Sequence, residues 1–141
     1  MDISDEDMLA RLPGIRIDHD NKAYYRGLLQ HRLLLNRCKT CGTWHSPPRA
    51  TCPKCWSWDL VPTEISGKGR VYLFSFRNGV PAHGNPSEPS AVAAIELPEG
   101  VRFTTTIVNC PKADIRIGMP VALVWVEEDG MPMPAFQPAS N

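Results

Sequence analysis

The stretch that decides the fold is Cys38-Lys39-Thr40-Cys41-Gly42 together with Cys52-Pro53-Lys54-Cys55, two CxxC pairs separated by ten residues. Zinc prefers tetrahedral coordination, and four thiolates complete it. Two residues between paired cysteines allow a tight backbone turn that aims both sulfurs at one ion. A single CxxC would be equally at home in a redox dithiol; two at this spacing argue for a zinc ribbon. Cys38, Cys41, Cys52 and Cys55 are therefore assigned as the ligands of one Zn2+. Four protein ligands leave no vacant position, which makes the ion structural and not catalytic. Binding energy of order 10–16 kcal/mol couples metal uptake to folding, and a segment of about 25 residues needs such a staple. Gly42 suits the positive φ that closes a knuckle. Trp56 follows the second pair instead, so that knuckle is expected to turn differently or close less tightly.

Upstream, Ser4 followed by Asp5-Glu6-Asp7 reads as a helix start, with the serine as cap and the acids on the positive end of the helix dipole. Met8, Leu9 and Leu12 form its expected stripe, and Pro13-Gly14 ends it. A second helix is expected from about Asn21 to Gln30, capped by Asp20, with Tyr24, Tyr25, Leu28 and Leu29 on one face. Gly27 weakens it by roughly 1 kcal/mol relative to alanine. Arg32–Arg37 reads as a strand leading into the first cysteine pair, and Trp44-His45-Ser46 as its return.

Downstream of Leu60 the chain reads as all-β. Strands are expected at Val61–Ser66, Arg70–Arg77, Ala91–Leu97, Val101–Val108 and Val121–Glu127, with Met131–Phe136 as a last edge segment. Gly67-Lys68-Gly69 and Glu128-Asp129-Gly130 read as turns. Five or six short strands suggest a closed barrel of OB type, since closure removes exposed edges; a small sandwich is the competitor. Asn78–Pro89 lacks periodicity and reads as a long loop. The organisation is mainly β: a helical segment 1–31, a zinc ribbon 32–60 and an OB barrel 61–141.

The 141 residues carry no net charge, but the charge is segregated. Residues 1–20 hold six acids and two bases, while Asn21–Trp58 holds seven bases (Lys22, Arg26, Arg32, Arg37, Lys39, Arg49, Lys54) and no acid. Zinc with four thiolates carries about −2, leaving about +5 locally. One reading is that a base or two balances the thiolates and the rest are solvated. The other is a patch for a polyanion, such as nucleic acid or coenzyme A phosphates. Trp44, Trp56 and Trp58 surround the cysteines and either pack the ribbon or face a partner. Catalytic candidates are poor. His19, His31, His45 and His83 form no recognisable set, with His31 and His45 read as unused surface residues, and Cys110 reads as a small buried residue. No catalytic residue is assigned.

The order Tyr24-Tyr25-Arg26-Gly27-Leu28, Leu33-Leu34-Leu35-x-Arg37-Cys38-x-x-Cys41-Gly42, Pro47-Pro48-Arg49, Cys52-Pro53-x-Cys55, Gly67-x-Gly69-x-Val71-Tyr72 and Ile117-Gly118-Met119-Pro120-Val121 resembles the acyl-CoA-associated zinc-ribbon/OB-fold family, from about Asn21 to Pro138. The resemblance implies N-terminal helices, a rubredoxin-like ribbon and an OB barrel. It also implies a non-catalytic accessory subunit of a thiolase-superfamily enzyme, either a thiolase or a lipid-transfer-protein-like aldolase. Such a complex cleaves a carbon–carbon bond in an acyl-CoA, in steroid side-chain or aromatic acid degradation. The subunit supports its partner's folding and shapes acyl-CoA access at the shared interface. Lys22, Arg26, Arg32, Arg37, Arg49, Trp44, Trp56 and Trp58 are the expected contacts for coenzyme A phosphates or the partner.

The alternative is a single-stranded nucleic-acid-binding module, with Tyr72, Phe74 and Phe76 stacking bases. The neutral net charge and acidic C-terminal half oppose it. An independent enzyme using Cys110 or His83 is a third reading, opposed by the lack of a nucleophile–base–orienter set. No apolar run approaches the roughly 20 residues of a membrane span, and the acidic N-terminus is unlike a targeting signal. The expected location is the cytoplasm, where thiols stay reduced.

Overall fold

The structure is a computed structural model that describes residues 4–12, 16–82, 85–128 and 130–139. The chain divides into two compact units: Met1–Ile65 with Val126–Met133, and Ser66–Trp125 with Pro134–Asn141.

In the first unit, helix α1 (Asp5–Arg11) starts where Ser4 accepts the Asp7 N–H through its hydroxyl at 3.2 Å. Met8 and Leu12 are buried one turn apart, whereas Leu9 is 54% exposed. Leu9 follows Met8 by about 100° around the axis and so leaves the expected stripe. The expected stop at Pro13-Gly14 lies outside the described residues. Helix α2 (Lys22–Leu29) has Asn21 at its N-cap, not Asp20. Asp18 Oδ1 accepts the N–H groups of Asp20 and Asn21 at 2.9 and 3.0 Å, and Asn21 Oδ1 accepts that of Asp18 at 2.8 Å. This reciprocal Asx turn fixes the chain just ahead of the helix, and Asn21 itself makes no side-chain cap hydrogen bond. Leu28 is buried, and Tyr24 and Tyr25 meet edge to face at 5.2 Å.

Gly27 is the point of closest approach in this unit. Its carbonyl accepts from Gln30 and Arg32, and a Cβ there would lie 2.6 Å from the Arg32 carbonyl oxygen. The glycine that weakens the helix is thus the residue that lets the chain turn back into the ribbon. Strand β1 (Leu34–Cys38) is the centre of a three-stranded antiparallel sheet, flanked by β2 (Trp44–His45) and β3 (Leu60–Glu64). The strand expected at Val61–Ser66 among those of the barrel belongs here, since Leu34 pairs with Glu64 and Cys38 with Leu60.

Five strands form a closed barrel: β4 (Lys68–Ala82), β5 (Asn85–Glu96), β6 (Arg102–Ile107), β7 (Pro120–Glu128) and β8 (Met131–Pro138), in the order β4-β5-β6-β8-β7. β6 and β8 run parallel, and β4–β5, β4–β7 and β5–β6 run antiparallel, which is the Greek-key closure of an OB fold. β8, expected as an edge, instead closes the barrel between β6 and β7. Val71, Ala93, Ile95, Phe103, Val121, Ala135 and Phe136 fill the interior.

Two further expectations change. The Gly67-Lys68-Gly69 turn is shorter, because Lys68 and Gly69 already pair with Ala122 and Val121. Gly69 is needed for packing, as a Cβ there would lie 2.5 Å from Ile95 Cγ2. Nor is Asn78–Pro89 one long loop. β4 and β5 continue as a hairpin through register shifts at Arg77/Pro81 and Pro81/Ala82. Residues 78–82 and 86–89 of this arm are all exposed or half-buried, so no polar/apolar alternation marks it as strand. His83 lies outside the described residues. Among the described residues, no helix is long and apolar enough to cross a membrane.

Gly27→Ala tests the packing account by its sign. Alanine's helix propensity alone would add about 1 kcal/mol of stability, whereas overpacking costs about 1–3 kcal/mol. The expected outcome in chemical denaturation is net destabilisation; a stabilised variant would contradict the close approach.

Candidate metal centre

The two CxxC segments form matching knuckles. Gly42 N–H donates to the Cys38 carbonyl at 2.7 Å and Trp56 N–H to the Cys52 carbonyl at 2.7 Å. Cys38 N–H donates to Thr43 O at 2.8 Å and Cys52 N–H to Ser57 O at 2.9 Å. Gly42 has φ +79° and Trp56 φ +65°. The expectation that the second knuckle turns differently is therefore corrected: it makes the same turn, with a tryptophan forced into the left-handed region. The signal was present in sequence as a repeat, Cys-x-x-Cys-Gly-Thr and Cys-x-x-Cys-Trp-Ser, with a hydroxyl residue at the same place in each.

The four sulfurs lie within 4.8 Å of one another, with Cys38–Cys55 at 3.5 Å and Cys41–Cys52 at 3.7 Å. A tetrahedron with Zn–S bonds of about 2.3 Å has sulfur–sulfur edges of about 3.8 Å. Disulfide sulfurs would be about 2.05 Å apart, and all four cysteines are free. The donor set fits one structural zinc ion, held by Cys38, Cys41, Cys52 and Cys55.

The protonation of the cluster explains why it wants a cation. Hydrogen bonds from the Thr43 hydroxyl and backbone N–H stabilise the Cys41 thiolate and bring it down to about 6. The backbone N–H of Cys41 lowers Cys38. For Cys55 the Ser57 backbone N–H also favours the thiolate, but burial and the hydrogen bonds with the other three thiols outweigh it and push the group up to about 12. One thiolate forms readily and the last is opposed by its neighbours; a divalent cation removes that opposition.

The basic segment is smaller than its sequence suggests. Lys22 and Arg26 both pair with Asp5, and Arg32 Nε donates to Glu64 at 3.1 Å. Arg37 lies exposed over the half-buried Trp44 ring, its guanidinium 5.7 Å from the centroid. Arg49 is exposed. Trp56 and Trp58 are 75% and 78% exposed, so neither packs the ribbon. Lys22, Arg26 and Arg32 thus each face a carboxylate.

Other sequence candidates are also resolved. His45 is 6% exposed, not a surface residue, and its Nε2 has no hydrogen-bond partner. Burial and then the charge of Arg49 lower its pKa, favouring the neutral ring. His19 is exposed beside Asp20 at 3.6 Å. Cys110 is half-buried, and its thiol is raised by burial and by Asp114 and Glu88, which opposes a thiolate nucleophile. The proposed base-stacking row is broken by a bulge: β4 shifts register between Val71 and Leu73. Tyr72 sits under Arg102 at 3.7 Å, while Phe74 and Phe76 pair edge to face at 5.7 Å opposite the buried Ala93 and Ala91. The three aromatics share no face on which bases could stack.

Comparison with known proteins agrees with this architecture. Residues 26–61 match the ChsH2 rubredoxin-like zinc ribbon domain and residues 62–126 the ChsH2 C-terminal OB-fold domain. A "DUF35 domain-containing scaffold protein" of Methanocaldococcus jannaschii is 42% identical over 67% of this chain and 69% of its own length. A "Probable enoyl-CoA hydratase alpha subunit" of Thermomonospora curvata is 38% identical over 90% of this chain, which spans only 40% of that subunit. A chain of the solved "Ltp2-ChsH2(DUF35) aldolase" superposes with a TM-score of 0.78 at 36% identity, covering 92% of this chain and 100% of that one. The chain belongs to the DUF35 family of ChsH2-type zinc-ribbon/OB-fold proteins.

Metal analysis should find one zinc per chain, lost in Cys38→Ser with unfolding of the ribbon; a metal-free chain with an unchanged melting curve would refute the staple. Trp56→Gly should keep the zinc and gain about 1 kcal/mol in denaturation by relieving the left-handed backbone. A loss of stability would contradict the matching of the two knuckles.

Proposed function

We propose that this chain is a non-catalytic accessory subunit of a thiolase-superfamily enzyme, an aldolase of the lipid-transfer-protein type or a thiolase, that cleaves a carbon–carbon bond in an acyl-CoA. The observation that carries the reading is the likeness to the DUF35 chain of an aldolase over that chain's whole length. The chemistry of the chain supports it. The zinc set has four protein ligands and no open position for substrate. The Cys110 thiol is held in its neutral form. The bond-breaking groups therefore belong to the partner, and this subunit supports the partner's folding and the access of acyl-CoA.

The finer reading places the complex in the degradation of a steroid side chain or an aromatic acid, in the cytoplasm, where reducing conditions keep four thiols available to zinc. Arg37 and Arg49 are the arginines left to meet coenzyme A phosphates, because Arg26 and Arg32 already face carboxylates. Both remain exposed on the ribbon unit.

Co-expression with a thiolase- or aldolase-like catalytic subunit of the same organism is expected to yield a stable heteromer on a sizing column. Separate elution of the two zinc-loaded, folded proteins would count against the reading.

A further inference from the structure

We infer that the second zinc knuckle is a preformed docking foot, in which Trp56 and Trp58 insert into an apolar cleft rimmed by carboxylates on the catalytic partner. The inference rests on the accessory-subunit reading and names the surface that reading leaves open. Three observations carry it.

First, the two indoles are 75% and 78% exposed and separated by one residue. Each indole offers roughly 150–250 Å² of contact area, a large share of the roughly 800 Å² that one partner contributes to a standard interface. Tryptophan is among the residues most enriched at binding hot spots.

Second, Trp56 occupies a position that a glycine fills in the matching knuckle, at φ +65° against +79°. A bulky side chain is disfavoured in the left-handed region. Such strain points to a use for the side chain that folding does not supply.

Third, the loop bearing the indoles is held rather than loose. Ser57 Oγ lies 2.9 Å from Thr40 Oγ1 and accepts the Asp59 N–H at 3.1 Å. Lys39 N–H donates to Asp59 O at 2.9 Å, and Trp56 and Ser57 are fixed by the knuckle bonds to Cys52. The rings are therefore presented on a backbone tied to both halves of the metal site, which lowers the ordering cost of binding.

The charge selects the occupant. Lys54 stands two residues before Trp56, Lys39 bonds the backbone at Asp59 next to Trp58, and both lysines are exposed, with Asp59 the one acid between residues 36 and 60. The four bases in that stretch, set against Asp59 and about −2 for zinc with four thiolates, leave roughly +1. That is too little for a nucleic-acid backbone, whose binders neutralise on the order of 6–10 phosphates. It suits an apolar protein surface with a few acids at its rim, where interface cores are aromatic and rims polar.

The test measures the affinity of the purified zinc-loaded chain for the co-expressed catalytic subunit, alongside melting curves and zinc content. Trp56→Gly should bind about 30-fold more weakly while its zinc is retained and its stability does not fall, and Trp58→Ala should weaken binding similarly. Lys39→Glu with Lys54→Glu, which leaves both indoles in place, should weaken the complex about tenfold and keep the fold. In the wild-type chain, complex formation should shield indole fluorescence from acrylamide. Full-strength binding by folded Trp56→Gly and Trp58→Ala would overturn the docking foot and leave the accessory role standing. Absence of any wild-type complex would overturn both. Self-association of the chain, or binding to a single-stranded oligonucleotide, that is lost in the tryptophan variants would assign the foot to another occupant and overturn it as well.

Discussion

Four sulfur atoms within 4.8 Å of one another are the constraint on which the ribbon of this chain depends. The ribbon sheet is small: β2 has two residues, and β1 and β3 have five each. β1 buries Leu35, Asn36 and Cys38 and β2 buries His45, but β3 has no fully buried residue, and the two knuckles that join them consist largely of turns. Zinc supplies the missing cohesion, and its demands appear in the local chemistry. Backbone N–H groups converge on the sulfurs, and hydroxyls at Thr43, Thr40 and Ser57 brace the loops. β1 ends on Cys38, which pairs with Leu60 of β3, so the metal site and the sheet share one residue. Gly27 then allows helix α2 to fold back beside the start of that same strand.

How much of this was legible in the sequence depended on whether a signal was local. The ligand set was, because thiolate spacing reports coordination directly. The barrel strands were, because half-buried strands alternate. The β4–β5 arm was not: exposed on both faces, it carries no alternation, and its prolines read as loop. The Tyr72 bulge was also invisible, since one extra residue moves an aromatic off the face on which a strict period of two would place it. β3 was read as a strand but given to the wrong sheet, because pairing partners are non-local information. The geometry of Trp56 was missed for a different reason: residue preference pointed away from a left-handed tryptophan, while the repeated pattern of cysteine and hydroxyl pointed toward it.

The same geometry narrows the function. A run of seven bases looks like a polyanion site until its partners are known. Asp5, before the run, and Glu64, after it, satisfy three of those bases. What remains near the metal is a small cationic surface around two exposed indoles. Zinc with four thiolates has no open position for substrate, which agrees with the proposed accessory role. The likeness to the DUF35 chain of an aldolase fits a subunit whose metal is far more about form than about reaction.

The most direct measurement of the central claim is acyl-CoA cleavage followed for the isolated chain, the isolated catalytic subunit and the reconstituted pair, each at equal concentration and with zinc content verified. The account predicts no turnover by the chain alone and a rate from the pair well above that of the catalytic subunit by itself. Turnover by the pure chain, or a pair no more active than its catalytic member, would contradict it.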